Sequence, residues 1–248
     1  MNVQTIISNM PDVNKAVVIL SGGMDSSIVA RLAVEKYGKD NVSALTFYYK
    51  QKQSIEIDKA KAVSGVLGLA AHTVVDLSFL GDMVQGVSAN IMGGLNMPTI
   101  KEILGDPTPV TYVPNRNMIM LSIAAAYAET VGAQVVLTGL QSQDEYSYFD
   151  TTPAFVAAMN SVTSQMRKDV IQYFAPFQGL SKSEEIEFML ELDGGVDLLK
   201  NTMTCYNPEG EVSCGKCPSC AERIKAFMKC LTKDPVPYAI NIPWKLSV

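Results

Sequence analysis

The apolar positions of this chain change period from stretch to stretch, and the alternation predicts the fold class. Ala16–Leu20 (AVVIL) is a short unbroken apolar run, the pattern of a strand buried on both faces. A glycine turn follows. Ser26–Tyr37 then carries Ile28, Val29, Leu32 and Ala33 on one helical face, with Gly38 where a left-handed C-cap would end it. Val42–Tyr49 reads as a second strand, 54–67 as a helix broken at Gly68, and Thr73–Leu77 (TVVDL) as a third strand. A helix is expected over 117–131, a strand over 134–138 (QVVLT), and helices over 153–168 and 182–192. Ser181-Lys182-Ser183-Glu184 is a capping-box pattern at the start of the last helix. Strands alternating with helices predict an α/β fold, a doubly wound parallel sheet with right-handed crossovers.

Two stretches leave that rhythm. Residues 79–110 mix glycine, proline and methionine with little periodicity, and read as an active-site flap or substrate-side insertion. The tail 235–248, with Pro235, Pro237, Pro243 and Trp244, is too rich in proline for a helix. It is expected to lie extended across the body or a partner subunit.

Composition narrows the function classes. The 248 residues, 48% apolar and 18% charged, suffice for one large core. The net charge of −5, from 20 Lys+Arg and 25 Asp+Glu, argues against a broad nucleic-acid surface. No apolar run approaches the ~18 residues of a membrane span. Met1–Pro11 lacks a basic region followed by an apolar stretch, so no secretory signal is read and a cytoplasmic location is expected. His72 is the only histidine, which leaves metal ligation and proton transfer mainly to other residue types.

The turn after the first strand is Ser21-Gly22-Gly23-Met24-Asp25-Ser26-Ser27. Two glycines let backbone approach an anion, and the first amides of the helix point at it with the positive end of the dipole. The string is neither a Walker A loop, since no Gly-Lys-Ser/Thr follows, nor a G-x-G-x-x-G fingerprint. An ordinary strand-to-helix turn, N-capped by Asp25 or Ser26, is the plain alternative. The string resembles the PP-loop of the N-type ATP pyrophosphatases, which cleave ATP between its α- and β-phosphates. The resemblance implies that Ser21 to Ser27 hold the pyrophosphate leaving group. It also implies that Asp25 organises phosphate and Mg²⁺.

All five cysteines lie after position 204, and Cys205, Cys214, Cys217 and Cys220 are spaced C-x8-C-x2-C-x2-C. Thiolates two residues apart in a tight turn can face one tetrahedral ion, so a closed, structural four-thiolate Zn²⁺ site is expected. An iron–sulfur cluster is the competing occupant. Cys230 reads as a core residue.

Together, loop and cysteines make the chain similar to the QueC family, the 7-cyano-7-deazaguanine (preQ0) synthases, over nearly its full length. The likeness rests on SGGMDSS, on Val113-Pro114-Asn115-Arg116-Asn117, on Thr138-Gly139, on Asp144, and on the TCYN…CGKCPSCAER run from Thr204 to Arg223. The resemblance implies adenylation of 7-carboxy-7-deazaguanine by ATP, displacement of AMP by free ammonia, and a second activation of the amide that leaves the nitrile. It implies catalytic roles for Asp25, Ser26, Arg116 and Lys182. Asn117 and Gly139 join the loop as nucleotide-binding residues, and Asp144, Tyr148 and Asp150 face the substrate. Residues 1–200 would form the ATP-binding body and 201–248 a zinc-binding segment packed on it, in a homodimer.

The chain departs from the family at Tyr49-Lys50-Gln51-Lys52-Gln53, where a glycine, an arginine and a histidine are lost, and at 144–150. Two other outcomes stay open on these residues. One is a related ligase joining the activated carboxylate to another amine, including one on a protein; the other is a PP-loop tRNA-modifying enzyme. A zinc-containing binding protein without catalysis is the reading from a different class.

Overall fold

The first apolar run forms β1 (Ala16–Ile19), the centre of a parallel sheet of five strands among the described residues. The computed structural model describes residues 2–52, 55–96, 110–142, 148–166 and 168–244. β2 (Val42–Tyr48) and β4 (Val135–Leu137) flank β1, with Ala16 in register with both Val42 and Val135. β3 (Ala71–Asp76) pairs with β2, and β5 (Gln172–Phe174) with β4, giving the order β3-β2-β1-β4-β5. The central strands are buried except for the last residues of β1 and β2, Ile19 and Tyr48, as their unbroken apolar runs predict, whereas β3 at the edge is partly exposed.

Alternate residues of each strand enter two cores. Ala16, Val18, Ala44, Val135 and Leu137 pack against α1 (Val3–Asn9), α2 (Met24–Tyr37), α3 (Ile55–Leu67) and α7 (Lys182–Glu191). The short α8 (Gly195–Leu198) and α9 (Pro218–Lys229) join that layer through Leu198 and Phe227. On the opposite face Val17, Leu45, Phe47 and Val136 meet α4 (Ser78–Val84), α5 (Arg116–Val131) and α6 (Pro153–Thr163). Helices cover both faces, so the sheet is doubly wound. The strand order reverses between β1 and β4, and the C-terminal ends of such neighbours open the crevice in which ligands bind.

Several expectations need correction. Residues 78–84 are helical, not irregular: Leu80 and Val84 face the core while Phe79 and Met83 stay exposed. α2 starts at Met24, with Gly23 as N-cap, so neither Asp25 nor Ser26 caps it; both lie in its first turn. α6 ends at Thr163 rather than 168. α1 and β5 have no counterpart in the sequence reading. The capping box is formed, with Ser181 and Glu184 bonded reciprocally. The tail lies across the body as far as Trp244, Tyr238 pairing with Ser213 and Trp244 packing on the core and against the Tyr238 ring. Ser54, residues 97–109, Asp144 and 245–248 lie outside the described residues. Among those described, no helix is long and apolar enough to cross a membrane.

Candidate active site

A cavity of about 350 Å³ opens at the C-terminal ends of β1 and β4. Its floor is the Ser21–Ser27 turn, folded by its own hydroxyls. The Ser21 amide donates to Ser26 Oγ (3.1 Å), the two serine hydroxyls lie 2.9 Å apart, and Ser27 Oγ donates to the Gly23 carbonyl (2.7 Å). Gly22 has φ +85°, and a Cβ there would come within 2.1 Å of the Glu56 carbonyl oxygen, so only glycine lets α3 close on the loop. Gly139, after β4, is close-packed as well, though less tightly: a Cβ would lie 3.0 Å from the Ser26 amide nitrogen.

Lys182, the first residue of α7, reaches across and donates to both oxygens of Asp25 at 2.8 Å. Burial works against its charge, but the charge and hydrogen bonds of Asp25 outweigh it and hold its pKa above the ordinary lysine value. The cavity floor therefore carries a fixed ammonium beside a carboxylate at the mouth of a helix N-terminus. That arrangement suits an anion with a bound cation.

The opposite wall comes from the start of α5. Arg116 donates to Tyr49 Oη (3.1 Å) with its guanidinium 5.7 Å from the centre of that ring. Asn117 donates through its side-chain amide to the Asp150 carbonyl (3.1 Å), and the Asp150 carboxylate accepts from the Asn117 backbone (3.4 Å). Burial pushes the Asp150 carboxyl up, and Arg116 pulls it back in part. Tyr148 lines the cavity and shares a hydroxyl contact of 2.7 Å with Thr111.

The remaining wall is the cysteine segment, which contributes Thr204, Tyr206, Ser219 and Glu222. The sulfurs of Cys205, Cys214, Cys217 and Cys220 all lie within 4.8 Å of one another, with 4.0 Å for both the 214–220 and 205–217 pairs. A tetrahedral ion bonded to sulfur at about 2.3 Å sets its ligands about 3.8 Å apart, so the four residues fit one. Backbone amides already point at the sulfurs, including Cys214 N to Cys205 Sγ (3.2 Å) and Asn207 N to the same atom (3.3 Å). Sharing of protons holds Cys217 far below the usual thiol range and pushes Cys205 and Cys220 up. A divalent ion held there would stabilise all four thiolates. The segment is pinned by Arg223, which is buried and bidentate to Asp234 (2.7 and 2.9 Å) and donates to Thr202 and Thr204 as well.

Two further carboxylates stand out. Glu56, in the first turn of α3, lines the cavity, and burial lifts its pKa to about 8 against the pull of Arg116. Glu185 is fully buried beside the Asp25 carboxylate, and among the described residues neither of its oxygens is within hydrogen-bonding geometry of a donor. Burial first, then the charge of Asp25, raise its pKa well above the carboxylate range, with Lys182 opposing. The folded chain thus keeps a proton that the unfolded chain releases above the ordinary glutamate pKa. Stability accordingly falls as pH rises through that window. Glu185→Gln removes the titration and keeps the shape. Thermal melts should show it more stable than the parent at pH 8, with the gap closing toward pH 4; each kcal/mol is worth about 2–4 °C in a chain of this size. An equal shift at both pH values would contradict this.

The sequence model of the family described as queuosine biosynthesis protein QueC matches residues 15–231. The chain belongs to the QueC family. It is 38% identical over 230 residues to the 7-cyano-7-deazaguanine synthase of Koribacter versatilis (strain Ellin345), covering 92% of this chain and 94% of that one. It is 40% identical over 230 residues to the enzyme of that name from Clostridium kluyveri, covering 90% and 97%. With 7-cyano-7-deazaguanine synthase 1 of Colwellia psychrerythraea the identity is 39% over 224 residues, covering 90% and 98%. Among solved structures, an NH3-dependent NAD synthetase from Campylobacter jejuni aligns over 55% of this chain and 56% of its own at 19% identity, with a TM-score of 0.36. That likeness is too slight to argue from.

Within this QueC chain, Ser21, Gly23, Asp25, Ser26, Arg116, Asn117, Gly139, Tyr148 and Lys182 all line the one cavity. The side chains of Met24 and Ser27 are instead fully buried, so those positions face the cavity with backbone at most. Asp150 is not at the cavity surface; it stands behind Asn117 and Arg116 and braces them. Cys230 is no fifth ligand, since its thiol donates to the Ser183 carbonyl. His72 sits on β3, bonded to Thr46, outside the cavity. The sequence reading missed Tyr49, Glu56, Tyr206 and Glu222 as lining residues. Tyr206 and Glu222 fall inside the cysteine run, and that proximity was the available signal.

Proposed function

We propose that the chain converts 7-carboxy-7-deazaguanine and ammonia to 7-cyano-7-deazaguanine with ATP, through an adenylate and an amide. The observation that carries this reading is one cavity lined both by the phosphate-type loop with its Asp25–Lys182 pair and by the four-cysteine segment. The relatives' names supply the substrate class.

In this reading the Ser21–Ser27 turn binds the β- and γ-phosphates, and the fixed ammonium of Lys182 takes up charge on the departing pyrophosphate. Asp25 would hold Mg²⁺, whose charge lowers the cost of that leaving group. Arg116, oriented by Tyr49 and Asn117, faces the α-phosphate and the carboxylate under attack. Tyr148 and Tyr206 supply ring faces for a flat purine. The four cysteines would hold Zn²⁺ with no open position, so the ion braces the wall and takes no part in the chemistry. Residues 1–200 then act as the ATP-binding body and 201–248 as the braced segment. A cytosolic setting keeps the thiols reduced for the metal.

The position of ATP cleavage tests the reading. Turnover dependent on 7-carboxy-7-deazaguanine should release AMP and pyrophosphate, resolved by anion-exchange chromatography. ADP as the nucleotide product would sink it, because a loop without a Walker lysine is suited to keep pyrophosphate and not to transfer the γ-phosphoryl group.

A further inference from the structure

We propose that Glu56 is the general base that frees ammonia from ammonium inside the cavity, an assignment that rests on the reaction proposed above. Ammonium predominates over ammonia at neutral pH and has no lone pair, so a nucleophile must be made where it is used. Glu56 is placed for this. Its turn of α3 is clamped on the Ser21–Ser27 turn, with the Gly22 α-carbon against its carbonyl oxygen, so its backbone is fixed relative to the loop that would bind the phosphates. Glu56 lines the cavity that Ser21, Asp25 and Arg116 also line, and Arg116 acts on its carboxyl. Asp25 is taken up by Lys182 on both oxygens, and Asp150 lies behind the wall.

The charged and titratable groups facing Glu56 are Arg116 from α5 and Tyr206 from the cysteine segment, with Glu222 of α9 on the same cavity. Lys182 and Asp25 stand on the same cavity but are spent on each other; Arg116, the cation that acts on Glu56, is already engaged by Tyr49 and Asn117. An exposed glutamate, with a pKa of about 4.3, holds a proton too weakly to take one from ammonium efficiently. Enclosure raises the affinity of Glu56 to about 8, near the pH at which a base must work.

The step balances. The Glu56 carboxylate takes one proton from ammonium, and the freed lone pair forms the C–N bond to the adenylated carboxyl carbon. The bond from that carbon to the AMP oxygen breaks, and AMP keeps its electrons. The surplus proton on the new amide nitrogen passes to water.

The test compares the unmodified chain with Glu56→Gln in three assays. They are pyrophosphate–ATP exchange with 7-carboxy-7-deazaguanine, amide formation from ammonium across pH, and hydroxamate formation from hydroxylamine, which is uncharged at neutral pH. Glu56→Gln should keep exchange and hydroxamate formation within a few-fold. Its ammonium reaction should fall about 100-fold at pH 7 and recover as pH rises toward the pKa of ammonium. Equal loss with both amines, loss of exchange, or an unimpaired ammonium reaction would each overturn the assignment. So would an ammonium-selective defect found in Glu222→Gln instead. If the unmodified chain itself shows no exchange, the reaction proposed above fails, and this assignment with it; exchange in the unmodified chain confines any failure to Glu56.

Discussion

Lys182→Ala is expected to slow pyrophosphate release by about 10²–10³-fold while the protein stays folded. The ammonium is held 2.8 Å from both oxygens of Asp25 at the entrance to α2, where the turn amides also point. In the reading above, charge builds there as the α–β bond breaks, so the loss should fall on kcat more than on KM. Lys182→Arg should recover part of the rate, because it restores charge but not the compact geometry. The fold tolerates the change because α7 is started by the Ser181–Glu184 capping box and held by Ile186, Phe188 and Met189 in the core, not by the lysine. Steady-state kinetics with circular dichroism separates the two effects. An unchanged kcat would remove Lys182 from the machinery.

The second large effect is expected at the cysteines. Cys217→Ser should release the bound ion, from about one zinc per chain to none by elemental analysis. Structural zinc binding is coupled to folding at about 10 kcal/mol in small domains. Here the cost should be smaller and concentrated after residue 200, because the sheet has its own cores on both faces. Activity should fall too, since Thr204, Tyr206, Ser219 and Glu222 reach the cavity from this segment. Cys217 also caps α9, accepting from the Cys220 amide, so the same change loosens the helix that carries Glu222 and Arg223. Cys230→Ser should keep the metal, because its thiol is spent on Ser183. Iron with sulfide in the purified protein would replace zinc in this account.

Where sequence and structure agree, one physical signal dominates the segment. β1, β2 and β4 are buried on both faces, and such strands write themselves as unbroken apolar runs. The Ser21–Ser27 turn and the cysteines are legible because each needs several particular residues at fixed spacing. β5 is three residues with one fully buried side chain, Tyr173, so it carries no period at all. α4 escaped notice because its exposed face holds Phe79 and Met83, which blur the contrast between the sides of the helix. The walls of the cavity were harder still. Glu56 sits two residues from Asp58 and three from Lys59, a composition typical of a solvated helix face. Its place on the cavity follows from the close packing of α3 on Gly22, a contact between segments that the sequence does not display. Asp150 was readable as a polar residue of interest, but its place behind Asn117 depends on a contact across 33 residues of chain.

The central claim is the chemical outcome, and product mass tests it most directly. The protein is incubated with ATP, Mg²⁺, ammonium and 7-carboxy-7-deazaguanine, and the deazapurine is followed by mass spectrometry. The account predicts an amide that rises and then falls, and a final product lighter than the ammonium carboxylate by two waters, the nitrile. A reaction that ends at loss of one water, or that ignores ammonium and joins the carboxylate to another amine, would contradict it.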